Sequence, residues 1–139
     1  VPPFILDTDI FSLWAVNHRV VRSRVAARPP ADVGITVLTV EEALTGWQTA
    51  LRQAKTNDDR ALIYGRMALT AAGLARLQVV SCDRAALDRY DGLRALKLNV
   101  GNYDLRIAAI ALEAGATVVT HNLRDFRRVP GLVCEDWSI

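Results

Sequence analysis

Hydrophobic and polar positions along the chain change period repeatedly between two and roughly three and a half. "FILDT", Phe4 to Thr8, is apolar for three residues and then turns polar, which suits a buried strand ending in an acid. Ile10 to Ala27 follows with helical spacing and room for an interruption, and "RPPAD" closes it because the prolines cannot continue a helix. "GITVLT", Gly34 to Thr39, is rich in β-branched residues and predicts a second strand. Glu41 to Ala54 then places Ala43, Leu44, Trp47 and Leu51 on one helix face, and the polar break Lys55 to Asp59 separates it from another helix ending near Ala75.

"LQVVS", Leu77 to Ser81, predicts a third strand, Arg84 to Lys97 a further helix and "LNVGN" a loop. The helix carrying Asp104 runs to about Ala114 and stops at Gly115, the usual left-handed terminator. "TVVT" is a fourth strand, and after the turn "VPG" a short strand is expected around Leu132 to Glu135. This alternation predicts an α/β domain with a mostly parallel sheet covered by helices on both faces. No repeat or interdomain linker divides the 139 residues, so one domain over 1–139 is expected.

Sheets of this kind bind ligands just outside the carboxyl ends of their strands. That rule gathers Asp7 after the first strand, Glu42 after the second, Asp104 at the head of a late helix, and Asn122 and Asp125 after the fourth strand. Each has a purely structural explanation. Asp7 suits a helix cap, Thr39 and Glu42 have capping-box spacing, and Asp104 suits a first helical turn. As a group, however, like charges in one crevice repel and call for a cation. Oxygen ligands select a hard ion such as Mg2+ or Mn2+, and with only two histidines, His18 and His121, a three-histidine zinc site is excluded. Neither a Walker A sequence nor a tight GxGxxG offers a rival nucleotide site.

Composition narrows the picture further. The chain is 51% hydrophobic yet has no continuous 18-residue apolar run, so no membrane span is expected. Without a basic leader and apolar signal core, the cytoplasm is the default location. Cys82 and Cys134 form no CxxC pair and read as free, largely buried thiols. The net charge of +2 does not announce a nucleic-acid binder, but fifteen of the seventeen basic residues are arginines. Arg19, Arg22, Arg24 and Arg28 occupy a span with no acid between Asp9 and Asp32, which is compatible with RNA, with an acidic protein, or with a solvated helix face. Trp47, Leu51, Leu62, Ile63, Met67 and Leu69 exceed what one helix stripe over a thin sheet consumes, which suggests a homodimer contact.

"FILDTDIFSLW", "TVLTVEEALTGW", "NVGNYDLRIAAIALEAGATVVTHNLRDFRRVPGL" and the closing "VCEDWS" resemble a PIN domain, specifically the VapC type of bacterial toxin ribonuclease. The resemblance implies catalytic and metal-binding roles for Asp7, Glu42, Asp104 and Asp125, with Thr120, Asn122 and Asp9 as accessory residues. Glu42 rather than Glu41 takes the glutamate position because it stands three after Thr39 and four before Gly46. It implies a three-layer α/β/α sandwich with a mainly parallel five-stranded sheet. It also implies a Mg2+- or Mn2+-dependent endoribonuclease acting on a tRNA or, less often, an rRNA loop, a homodimer, and inhibition by a VapB-like antitoxin. Arg19, Arg22, Arg124, Arg127, Arg128 and His121 are the candidates for steering RNA. Two departures from the pattern stand out: His121 replaces the Arg or Asn of many relatives, and of Asn122 and Asp125 only Asp125 is charged, leaving Asn122 to hold a water or orient Asp7. Two other functions remain open. One is a noncatalytic PIN-like interaction module. The other is a haloacid-dehalogenase-type phosphatase using "LDTD", which needs a lysine where the chain offers only Lys55 and Lys97.

Overall fold

The computed structural model describes Val1–Ile139. Its strands are β1 (Phe4–Leu6), β2 (Val33–Thr36), β3 (Gln78–Val80), β4 (Thr117–Val119) and β5 (Cys134–Glu135). They form one five-stranded sheet in the order β3-β2-β1-β4-β5, and every neighbouring pair is parallel. The helices are α1 (Thr8–Ala15), α2 (Arg19–Ala26), α3 (Val37–Gln53), α4 (Asn57–Leu74), α5 (Arg84–Ala95), α6 (Asn102–Ala114) and a short α7 (Leu123–Phe126).

The three layers follow from the two-residue period of the strands. In β1, Ile5 points to one face and Leu6 to the other, and in β4 Val118 and Val119 do the same. Ile5 and Val118 meet Ile107, Ala108 and Ala111 of α6, Tyr90 and Leu93 of α5, and Phe126. Leu6, Val119, Val33 and Ile35 meet Ile10, Phe11 and Trp14 of α1, Val21 of α2, and Trp137. Burying one such large side chain contributes about 1.5–3 kcal/mol, so the two clusters together fix which helices flank the sheet. The alanines of α6 let α5 approach closely, which is why an alanine-rich stretch lies at the centre of one layer.

Gly34 has a packing reason of its own. A Cβ there would lie 2.7 Å from Pro2 Cγ and 2.9 Å from the Gln78 carbonyl oxygen, between the N-terminal segment and β3. Gly34→Ala is therefore expected to destabilise the fold by about 1–3 kcal/mol. Thermal unfolding followed by circular dichroism measures this, and an unchanged Tm would refute the close-packing account.

Several boundaries differ from the sequence expectation. The predicted strand Gly34–Thr39 ends at Thr36, because the Thr36 hydroxyl accepts the Leu38 amide at 3.2 Å and starts α3 at Val37. The β-branched run is overridden by a cap and by burial of Leu38 and Thr39. The expected helix from Ile10 to Ala27 is two helices, parted at Asn17, whose φ of 62° lies in the left-handed region that Asn tolerates. His18 then caps α2, its Nδ1 accepting the Val21 amide at 3.4 Å. The expected last strand, Leu132–Glu135, shrinks to two residues, and α7 was not anticipated at all. Gly115 does end α6 with φ 65°. Cys82 and Cys134 are free but only half-buried, packed against the α5–α6 core, and burial raises both thiol pKa values.

Candidate functional site

From β1 the chain steps to β2 and β3 on one side and later returns to β4 on the other, so β1 and β4 bound the switch point of the sheet. At their carboxyl ends stands Asp7. Its amide donates to the Val119 carbonyl at 2.9 Å, continuing the β1–β4 pairing one residue beyond the strand. Its carboxylate accepts the Ile10 amide at 2.9 Å and so caps α1. The cap explanation is therefore correct as far as it goes. Asp7 is also 3% exposed, and burial raises its carboxyl pKa to about 6, pulled back by the Thr120 hydroxyl and the Ile10 amide and pushed up further by Asp9 and Asp104. A cap alone needs no such burial of charge.

Glu42 reaches the same crevice from α3, where it is half-buried. The capping-box explanation fails for it: Thr39 lies inside α3 rather than at its cap, and Thr36 holds the cap position. Instead, Glu42 Oε1 accepts the Thr8 hydroxyl at 2.7 Å, and Thr8 Oγ1 also lies 3.0 Å from the hydroxyl of fully buried Thr39. Thr8 and Thr39 thus link α1 to α3 beside Asp7. Sequence reasoning missed Thr8, although "DTD" placed it next to the key acid.

Asp104 sits in the first turn of α6 and is half-buried. Burial raises its carboxyl pKa to about 6, with further upward contributions from Glu42, Asp9 and Asp125. Those electrostatic neighbours show that the acids from β1, α1, α3, α6 and α7 face one region. Beside it, the Tyr103 hydroxyl donates to Glu41 Oε1 at 2.7 Å and joins the heads of α3 and α6.

Asp125 lies in α7 and is held from two sides. Asn122 Nδ2 donates to Asp125 Oδ2 at 2.9 Å, and Arg128 Nη1 pairs with Oδ1 at 3.1 Å. Asn122 therefore orients Asp125 rather than Asp7, and its own amide donates to the Thr120 hydroxyl at 2.8 Å. Thr120 is fully buried, whereas Asp9, His121 and Arg124 are exposed on the rim, next in sequence to these acids; Arg127, also exposed, is turned toward Cys134 of β5. Arg19 and Arg22 are not brought to this rim. They lie on α2 beyond the opposite ends of the strands, where Arg22 Nε donates to the Trp14 carbonyl. Lys55 and Lys97 are exposed, on the loop between α3 and α4 and after α5 respectively.

Four carboxylates thus share a crevice in which only Asp125 has an ion-pair partner. The donors are all hard oxygens, the chemistry that Mg2+ or Mn2+ takes; burial, more than the neighbouring acids, raises the pKa values of Asp7 and Asp104. No three acidic, histidine or cysteine side chains lie close enough together to bind one ion directly.

Comparison with known proteins fits this geometry. Residues 4–132 match the PIN domain family. The tRNA(fMet)-specific endonuclease VapC of Salmonella typhimurium is 37% identical over 89 residues, which cover 55% of this chain and 67% of the relative. Ribonuclease VapC2 of Rickettsia felis is 37% identical over 69 residues, 47% of this chain and about half, 52%, of that protein. Among solved structures, the DNA-bound VapBC of Salmonella typhimurium superposes with a TM-score of 0.81 and 29% identity, covering 99% of each chain. The parallel sheet, the acids at its switch point and these matches together place the chain in the PIN-domain family, as a homologue of the VapC toxins of bacterial VapBC toxin–antitoxin systems.

Proposed function

We propose that the chain is a VapC-type toxin, a divalent-metal-dependent endoribonuclease that cleaves RNA phosphodiester bonds, with a tRNA or rRNA loop as target. The observation that carries this reading is the burial of Asp7 at the switch point, with Asp9 and Asp104 as its charged neighbours and with Glu42 and Asp125 acting in turn on Asp104. Asp7, Glu42, Asp104 and Asp125 would hold Mg2+ or Mn2+. The ion supplies positive charge to the phosphodiester and lowers the pKa of an attacking water. The chain's own part is preorganisation. The Ile10 amide and Thr120 hold Asp7, Thr8 holds Glu42, and Asn122 with Arg128 holds Asp125, so the carboxylates do not have to reorganise when substrate arrives. Arg124 and His121 on the rim would meet phosphates, which position a strand without choosing its sequence.

The test is to map new RNA ends in cells after induced expression, beside an Asp104→Asn control. Discrete cuts in one tRNA or rRNA that vanish in the control are expected. Unchanged RNA ends together with hydrolysis of small phosphomonoesters would replace the nuclease by a phosphatase. Neither activity, in a folded protein that still binds its partner, would leave an interaction module.

The same proposal includes a VapB-like antitoxin and a homodimer. An apolar cleft of about 280 Å³ between α1, α3 and α4 is lined by Trp47, Ile63 and Leu69. It shares Ser12, Trp47 and Thr70 with a second cavity that opens onto Thr8 and Glu42. An antitoxin segment lying in this groove would reach the acids directly. Beyond it, α4 buries only Gly73 and leaves Leu62 and Leu69, two turns apart on one side of the helix, 56% and 61% exposed, an apolar strip suited to a second copy. Sedimentation at micromolar concentration without antitoxin is expected to give a dimer. A monomer alone would remove the homodimer from the proposal.

A further inference from the structure

The arginines of α2 build something separate from the acidic crevice. A cavity of about 270 Å³ opens beside Val33, the first residue of β2, and Leu77, just before β3. It therefore lies at the amino ends of the parallel strands, a strand length of roughly 10 Å or more from the acids at their carboxyl ends. Arg22, Arg28 and Arg76 converge on it, and no acidic side chain lines it. None of the three is in a salt bridge.

Their positions are fixed by stacking rather than by charge. The Arg22 guanidinium lies 4.2 Å from the Trp14 ring centroid and its Nε donates to the Trp14 carbonyl at 2.6 Å. Arg76 lies 5.3 Å from the same ring, and Arg28 is 4.0 Å from Trp137 and 4.7 Å from Phe4. Arg28 Nη1 also donates to the Arg24 carbonyl at 3.0 Å, and a guanidinium stacked on an aromatic face keeps its remaining N–H groups in the ring-edge plane, where they can meet an anion. Burial and the neighbouring Arg76 charge lower the Arg22 pKa, as expected of cations brought together without a counterion.

We infer that this cavity is a second binding site, for the phosphate and base of a nucleotide. A single carboxylate would leave most of the positive charge uncompensated, whereas a diphosphate or successive phosphodiesters would balance it with bidentate contacts. Pro30 and Leu77 supply an apolar wall against which a planar base can lie, and the volume suits one nucleotide rather than a longer ligand. The nucleotide can come from a free pool or from an RNA strand. The site stands independently of the nuclease reading, because it shares no residue with the acidic crevice.

The experiment is a titration of the metal-free protein with ADP, with inorganic pyrophosphate and with a single-stranded RNA octamer, read from the indole N–H signals of Trp14 and Trp47. ADP and pyrophosphate are expected to move the Trp14 signal and leave Trp47, on α3, in place. Arg76→Gln is expected to weaken ADP binding about tenfold, the loss of one charge-assisted contact. The Arg76 side chain forms no hydrogen bond that would endanger the fold; Arg28→Gln, which also gives up the bond to the Arg24 carbonyl and the stacking on Phe4 and Trp137, is the second variant, with its Tm measured beside its affinity. An octamer that moves the same signal and competes with ADP identifies RNA as the source. An octamer that leaves Trp14 unmoved while ADP binds identifies the free nucleotide, and the site stands in both cases. The inference is overturned if millimolar ADP leaves Trp14 unmoved, if neither substitution weakens binding, or if a glutamate-rich peptide binds there as tightly as ADP. RNA cleavage by the metal-loaded wild type is assayed separately, so loss of the nuclease reading would not be mistaken for loss of this site.

Discussion

Asp7→Asn is expected to lower metal-dependent RNA cleavage by about 10³-fold while raising the thermal stability of the metal-free protein at pH 7.5. The loss follows from removing a preorganised charge at the reacting centre, where single electrostatic contacts are worth roughly 10²–10³ in rate. The gain follows from the same residue's environment. Asp7 is 3% exposed and its carboxyl pKa is raised from 3.8 to about 6, so its ionised form is destabilised at neutral pH. Asparagine keeps the cap to the Ile10 amide, since Asn and Asp are about equal in that position, and discards only the charge. Asp7→Ala loses the cap as well, at a cost of about 1 kcal/mol, and should be less stable than Asp7→Asn. Activity lost together with stability gained is the expected behaviour of a functional group held against its own preference. Wild-type cleavage by folded Asp7→Asn, or a fall in its metal-free Tm, would return Asp7 to the role of a helix cap.

The second large effect is a pH dependence that a divalent ion reverses. Both Asp7 and Asp104 have folded pKa values raised from 3.8 to about 6. Between those values the native chain holds protons that the unfolded chain has released, so the proton difference is negative and stability falls as pH rises. The contribution is fully present below about pH 4 and lost above about pH 6. For Asp7 the difference corresponds to an upper bound of about 3 kcal/mol; Asp104, half-buried and partly screened by water, contributes less. Mg2+ or Mn2+ binds the ionised carboxylates and works in the opposite direction. At a hundredfold excess over its Kd it adds about 2.7 kcal/mol, at pH 7.5 but not at pH 5, where protons compete. Differential scanning calorimetry with either ion or with EDTA across this range measures both effects. Identical Tm values with and without the ion at pH 7.5 would discard the metal site, and metal-free stability that rises from pH 4 to 7 would discard the burial argument.

Much of the architecture was legible because it is written locally. The apolar triplet of Phe4–Leu6 and the β-branched "TVV" of Thr117–Val119 are short runs bounded by polar or turn residues, and the terminator Gly115 takes a left-handed conformation that few other residues adopt. The alternation of those elements determined an α/β sheet, and the rule for strand ends determined where Asp7, Glu42 and Asp104 would meet. Other features depended on partners distant in the chain. "GITVLT" has the composition of a strand throughout, yet it turns helical at Val37 because the core accepts Leu38 and Thr39 from a helix and Thr36 caps it. Thr39 and Glu42 have the spacing of a capping box, but Thr8, thirty-four residues from Glu42, claims the glutamate. Asn122 is expected from sequence to hold a water or orient Asp7, but α7, too short to show a period, turns it to Asp125 instead. The arginines of α2 show the same limit most plainly. Sequence determined that they are basic, adjacent and free of nearby acids, but which end of the sheet they face depends on α2 packing through Val21 onto the Leu6 and Ile35 side, and burial of that kind is a property of contacts that only the tertiary structure brings together.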